Sequence, residues 1–272
     1  MKKILALFQL GSCQYQVPRG SRALHFSGKI AMPEQLGKIE KLEAESFKQG
    51  KKLYLVPLVY SSEEAPDEYK EKCSRYWKQV AEQLANLAAK IGKVNRVYHE
   101  SIFQSGEDGM KAMEKLDPSG YQIARTQCDN GAVFERVEEE ELFGEVMDWR
   151  RCLMLGFMSD KVASKVSEFY VEAAKNRNEF IANKIRETLK DDEAGLLFIR
   201  EEHSIQFPND IEVFSIFPPA LDEIHRWYRD QARLKTEKMA EEGKGKTEET
   251  AEEVEKKAKR RRKVEPKPGS DL

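Results

Sequence analysis

Histidine and glutamate side chains lie near or just after the carboxyl ends of three strands that the sequence predicts. The set comprises Glu63, His99, Glu100, Glu202 and His203. In open α/β sheets ligands bind beyond the carboxyl ends of the strands, so we expect these side chains to lie together if their strands are parallel neighbours. An imidazole beside a carboxylate suits general acid–base catalysis near neutral pH, and the same donors suit a divalent metal ion.

These strand-end residues allow a specific interpretation and an ordinary one. In the specific interpretation they form the site of a hydrolase-like enzyme, whose chemistry is carried by His203, His99, Glu202 and Glu100. A divalent metal, if one binds, is held there by His99, His203 and Glu63. In the ordinary interpretation they are the polar loop ends that every sheet has, because no motif of fixed spacing links them.

Arg177 interrupts the apolar stripe of a predicted long helix. It lies four residues after Ala173 and four before Ile181, so it shares their face. A buried guanidinium needs an anionic partner. Arg177 is therefore a clamp for a substrate carboxylate or phosphate, one half of an internal ion pair with a glutamate in the range 138–141, or a side chain whose apolar stem is buried while its charged head reaches water.

The absence of well-known motifs argues against several classes of nucleotide-binding, metal-binding and catalytic site. The chain has no GxGxxG, GxxxxGK[ST], HExxH, GxSxG or EF-hand pattern. Its four cysteines, Cys13, Cys73, Cys128 and Cys152, are too far apart for a CxxC motif, so we expect reduced thiols and a cytoplasmic location. Cys13 has no local His or Asn to support it as a nucleophile.

Charge is distributed unevenly along the 272 residues, whose formal net charge is −2. Residues 233–272 carry thirteen basic and ten acidic side chains, so residues 1–232 form a mildly acidic body that argues against a broad nucleic-acid-binding face. In the run Lys256–Lys263 seven of eight residues are basic. The run is either a weak contact for nucleic-acid phosphates or a nuclear-import segment, or else a solvated tail that aids solubility. No stretch is long and apolar enough to span a bilayer, so we expect no membrane partner.

The elements that must position the candidate residues alternate between strand and helix, which indicates an α/β fold with a single open, mainly parallel sheet and flanking helices. One domain is expected over residues 1–232, followed by a disordered Lys/Glu-rich tail over 233–272. Strands are predicted at 4–10, 53–60, 94–103, 121–126, 194–199 and 211–217. Helices are predicted at 33–50, 67–91, 108–116, 137–154 and 160–189, and from 218 onward. Pro57 is expected to place its strand at an edge or in a bulge.

The segment from Arg177 to His203, an arginine-bearing helix followed by a buried strand and a histidine, resembles part of the TraB, ChaN and erythromycin-esterase-like group. The resemblance implies an α/β fold with a carboxylate and histidine pocket and hydrolytic or haem-related roles. It covers about a tenth of the chain. Residues 200–202 stand where that group has glycines, and residues 11–14 stand where it has a further histidine, so we do not assign the chain to it.

Two functional hypotheses follow. The first is the hydrolase-like enzyme, acting on an unidentified small molecule. The second is a non-catalytic binding or scaffold protein, whose body binds a protein partner and whose basic tail contacts nucleic acid. The placement of two histidines distinguishes the two hypotheses. If His99 and His203 are close enough to bind one metal ion, the enzyme is favoured. If they lie on opposite sides of the sheet, the binding protein is favoured.

Overall fold

A computed structural model describes residues 49–237, which contain a five-stranded, all-parallel sheet in the order β3-β2-β4-β1-β5. The strands are β1 (Lys51–Pro57), β2 (Val94–His99), β3 (Val133–Phe134), β4 (Ala194–Ile199) and β5 (Ile211–Ser215). The helices of this part are α1 (Asp67–Ile91), α2 (Gly106–Leu116), α3 (Pro118–Asp129), α4 (Glu140–Met154), α5 (Asp160–Thr188) and α6 (residues 219–237). The predicted open α/β fold is confirmed. The strand predicted at 4–10, the helix predicted from 33, Cys13 and the basic run lie outside the described residues.

The centre of the sheet is β4, whose sequence AGLLFI is buried along its whole length between β2 and β1. An apolar run without alternation is typical of a parallel strand covered on both faces. Leu197 is in register with Leu55 of β1 and Tyr98 of β2, so these side chains share one face. At Gly195 a Cβ would lie 2.9 Å from the Tyr98 ring, so the glycine lets that ring pack closely against the strand.

Helix α5 covers the face of the sheet that carries Leu55, Tyr98 and Leu197. Its residues Ile181 and Ile185 are fully buried in that cluster. The remaining members are Leu53, Val137, Ala182, Leu189, Ile199, Ile205 and Ile211, with Phe207 packed against them. This core explains why the later part of the long helix keeps an apolar stripe on the side that faces the sheet.

The chain divides into two compact units, within the range that the sequence analysis treats as one domain. Among the described residues the first comprises 49–58 and Ala81–Ile216, and the second comprises Val59–Val80 and 217–237. Inside the second unit the Tyr69 hydroxyl contacts the carbonyl oxygen of Tyr60 at 2.9 Å and the hydroxyl of Tyr228 at 2.7 Å. An ion pair of 2.8 Å joins Arg75 to Glu223. Helix α6 continues through residue 237, past the predicted boundary at 232.

Two local predictions are wrong. Residues 121–126 are not a strand but the middle of α3, because Asp117 caps that helix through the Gly120 N–H at 3.0 Å and Pro118 occupies its first turn. Pro57 does not mark an edge, since β1 lies between β4 and β5. It is the last residue of its strand, where a missing N–H costs little, and the Leu58 N–H continues the pairing to Ile199 at 2.9 Å.

Among residues 49–237 no helix is both long and apolar enough to cross a membrane.

Candidate active site at the carboxyl ends of the strands

Three buried charges meet where β2 ends. The Arg177 guanidinium donates two hydrogen bonds to Glu138, from Nε to Oε2 at 3.0 Å and from Nη2 to Oε1, and a third from Nη2 to Glu100 Oε2 at 3.4 Å. All three residues are at most 4% exposed. The ring of Phe143 lies 5.5 Å from the guanidinium carbon. A bidentate arginine with a second carboxylate and an aromatic face holds one fixed orientation.

The local sequence explains how these charges reach one point. Glu100 is the residue after β2, and its N–H still pairs with the Phe198 carbonyl oxygen at 3.0 Å. Ser101 then adopts the left-handed conformation with φ of 68°, and its N–H donates to Glu138 Oε1 at 3.2 Å. Such a backbone is uncommon for a residue with a Cβ, so this turn is a specific feature that binds Glu138 beside the strand end.

Towards the surface, Glu100 also contacts the segment that follows β4. Its Oε1 accepts the Arg200 N–H at 2.9 Å, and its Oε2 lies 3.4 Å from Arg200 Nε. The Arg200 side chain is 34% exposed, whereas Glu100 is almost completely buried. Glu100 therefore links the interior guanidinium of Arg177 to a guanidinium that solvent reaches.

His203 is half-buried in the same segment, and Glu100 acts on it through its charge. Burial lowers the pKa of the His203 imidazole below its ordinary value; the Glu100 carboxylate raises it and Arg200 lowers it, with a net shift downward. Its Nδ1 is buried and has no hydrogen-bond partner among the described residues. The imidazole is consequently mainly neutral at pH 7, and the neutral form is the one that accepts a proton.

His99 lies on the opposite face of the sheet from Glu100. It pairs in register with Phe198, and the two rings stack at 6.0 Å, whereas Tyr98 points towards α5. Its Nδ1 contacts the Glu100 carbonyl oxygen, and its Nε2 is 3.8 Å from Asp117 Oδ2, too far for a hydrogen bond. Both of these atoms are buried without a hydrogen-bond partner in the described part of the chain.

The structure therefore brings together only part of the predicted site. Glu100, Arg177 and His203 belong to one cluster on the α5 side, while His99 belongs to the other face. Glu202 is exposed, and Glu63 is an exposed residue of the second unit. Among residues 49–237 no group of three or more His, Cys, Asp or Glu side chains is arranged to hold a metal ion.

Arg177 shows which sequence inference succeeded. Its partner, Glu138, falls in the range 138–141 that the sequence named for an internal ion pair. For the burial of Asp117 and the backbone of Ser101 the sequence offered little signal, because both depend on contacts between segments distant in the chain. Arg200 was visible only as a residue that follows a strand.

No protein-family model, curated protein or solved structure matches this chain.

Proposed function

We propose that the protein is a hydrolase-like enzyme that acts at the cluster of Glu100, Arg200 and His203, beyond the carboxyl ends of β2 and β4. The observation that carries the proposal is the pairing of a buried carboxylate with two groups nearer the surface. Glu100 binds Arg200 directly and lies near the neutral imidazole of His203. A base and a cation near one buried carboxylate is an arrangement that hydrolysis uses.

In this proposal His203 is the general base. Its neutral imidazole takes a proton from a water molecule, and the resulting hydroxide attacks the substrate's electrophilic atom. The exposed part of the Arg200 guanidinium stabilises the negative charge that develops on the substrate oxygen. The proton on His203 then passes to the leaving group, so the imidazole returns to its neutral state.

Glu100 is the positioning residue between these two groups. It fixes the backbone and the side chain of Arg200, and Arg177 with Glu138 fixes Glu100 from the interior. Arg177 is only 4% exposed and donates its hydrogen bonds to two protein carboxylates, so its guanidinium is not presented to a substrate at the surface. The clamp role that the sequence allowed for Arg177 is therefore not part of the proposal.

The test is hydrolysis of chromogenic carboxylic, phosphoric and glycosidic esters by the full-length protein, by His203→Gln and by Glu141→Gln. Glu141 is an exposed residue of α4 and serves as the matched control. Removing a general base lowers kcat by about 10²- to 10⁴-fold, so we expect that loss in His203→Gln with an unchanged melting temperature. Glu141→Gln should keep the wild-type rate.

The pH profile adds a second readout of the same role. Because burial lowers the pKa of His203, kcat/KM should rise with pH on a limb whose midpoint lies below the ordinary histidine pKa of 6.5. Hydrolysis that His203→Gln retains, or a limb centred above 6.5, would remove His203 from the reaction. Absence of turnover on every ester would contradict the enzyme proposal.

A second candidate function is the non-catalytic binding protein, which one observation favours. His99 and His203 lie on opposite faces of the sheet, the placement expected if the strand ends hold no shared metal site. In that case the cluster around Arg177 is a structural ion network, and the ester test distinguishes the two candidates.

A further inference from the structure

The turn that joins α4 to α5 exposes a compact group of large apolar side chains. We call this group the hairpin tip; it consists of Met154, Leu155, Phe157, Met158 and Val162. Leu155 is 81% exposed and Met158 is fully exposed. Single exposed apolar residues are common on any protein, whereas a contiguous group at one turn marks an interaction site.

The hairpin tip is carried by packed helices. Trp149 of α4 stacks on Phe169 of α5 with ring centroids 4.9 Å apart and an angle of 23° between the rings. Nearer the sheet, Phe143 of α4 lies against Arg177 of α5. At the tip, Gly156 takes the left-handed conformation, with φ of 72°, that ends α4 and reverses the chain. The apolar side chains are therefore held at the end of an ordered arm.

Basic side chains surround the hairpin tip. Between Trp149 and Lys165 the chain contains Arg150, Arg151, Lys161 and Lys165, and the only acidic residue in that range is Asp160. Asp148 and Glu168, just outside the range, pair with Arg151 and Lys165 at 2.5 Å. Over residues 148–168 four basic side chains stand against three acidic ones, a net charge of +1. Arg150 and Lys161 have no ion pair among the described residues, so these two cations flank the apolar tip and are available to an anionic surface.

We propose that the hairpin tip docks on a membrane surface that contains anionic lipids. Apolar side chains at the end of such an arm enter the boundary between headgroups and acyl chains, and the surrounding lysines and arginines contact the lipid phosphates. A specific protein interface uses about 20–30 residues on each side, far more than the tip offers. This docking is independent of the proposed hydrolase activity. It revises the sequence-based expectation of no membrane partner, which rested on the lack of a spanning segment.

The first experiment is flotation of the full-length protein with two kinds of vesicle, one of phosphatidylcholine alone and one with about a third of phosphatidylserine. We expect the protein to float with the anionic vesicles in preference to the neutral ones. A double variant, Leu155→Glu with Met158→Glu, should lose at least about ten-fold in bound fraction. Val171→Glu is the matched control, because Val171 is 63% exposed on α5, about 13 Å along the helix from Val162.

The basic run at 256–263 is a second source of attraction to anionic vesicles, so the insertion itself is measured separately. In Met158→Trp the new indole should move its emission to shorter wavelength when anionic vesicles are added, because it leaves water. In Val171→Trp the emission should stay unchanged.

Four results would overturn the proposal. These are no flotation of the wild type, equal flotation with neutral vesicles, flotation that the double variant keeps, and no emission shift in Met158→Trp. A dimer in sedimentation equilibrium that the double variant abolishes would also overturn it, since the tip would then bind a second copy of the chain.

Discussion

Arg177 is the residue on which the buried charges near the end of β2 depend. It lies between Glu138 and Glu100, and neither carboxylate is more than 2% exposed. Burial by itself lowers the pKa of the guanidinium, but the charges and hydrogen bonds of Glu138 and Glu100 more than reverse this and raise it above its ordinary value. Arg177 is therefore permanently charged, and its guanidinium forms hydrogen bonds with both buried carboxylates.

Arg177→Met tests this dependence. It leaves two carboxylates buried beside an uncharged side chain, and breaking one partner of a buried pair costs about 3–5 kcal/mol, so we expect a loss of that size in the free energy of unfolding. Urea denaturation of the full chain measures it. Lys184→Met is the control: Lys184 pairs with Glu187 at 2.8 Å on the surface, and such pairs contribute about 0–1 kcal/mol. Equal losses in the two variants would show that the buried network adds no more than a surface pair.

The sequence predicted the burial of Arg177 and the approximate place of its partner because both follow from local patterns. A charged residue at four-residue spacing inside an apolar stripe must point into the core, and a run of glutamates nearby in the fold can supply the anion. The sequence did not predict that Arg177 also pairs with Glu100, which is 77 residues away in the chain. Strand order decides which strand ends meet, and spacing carries no information on strand order.

At the scale of elements, α3 shows how a capping contact overrides local propensity. Tyr121, Gln122 and Ile123 alternate between apolar and polar side chains as a strand does, and the sequence predicted a strand there. The structure has a helix there because Asp117 is buried and accepts the Gly120 N–H, which closes the first turn. The long helices α1 and α5 were predicted to within a few residues, since their patterns repeat over many turns.

Gly120→Ala and Gly144→Ala test the cap with one chemical change in two helices. At Gly120 a Cβ would lie 2.0 Å from Asp117 Oδ2, so the cap must move, and we expect a loss of about 1–2 kcal/mol in spite of the better helix propensity of alanine. At Gly144 of α4 a Cβ would contact nothing within 4 Å, so propensity alone should stabilise the protein by up to about 1 kcal/mol. Thermal unfolding measures the change in the free energy of unfolding for both variants. Stabilisation by both substitutions would mean that Asp117 does not cap α3.

At the scale of the whole molecule, the longest basic run of the sequence lies far along the chain from the proposed hydrolase site. Residues 238–272, outside the described range, carry eleven basic and nine acidic side chains, and the acidic ones concentrate before the run Lys256–Lys263. The site residues proposed for hydrolysis all lie between 99 and 203. The basic run therefore lies in a different part of the chain from the proposed hydrolase site, and each can be removed without the other.

Deleting residues 238–272 should therefore abolish nucleic-acid binding and leave ester hydrolysis unchanged. Four to seven phosphate contacts by the basic run give a slope of about −4 to −6 for the logarithm of the binding constant against the logarithm of salt concentration on duplex DNA, and the deletion should bring this slope close to zero. Fluorescence anisotropy of a labelled duplex between 50 and 200 mM salt measures the slope. A second variant, with glutamine at the seven basic positions of 256–263, separates charge from chain length and should behave like the deletion. If the intact chain shows no affinity at 50 mM salt, or if the deletion keeps it, the basic run is not a nucleic-acid contact, and the acidic stretch before it neutralises its charge.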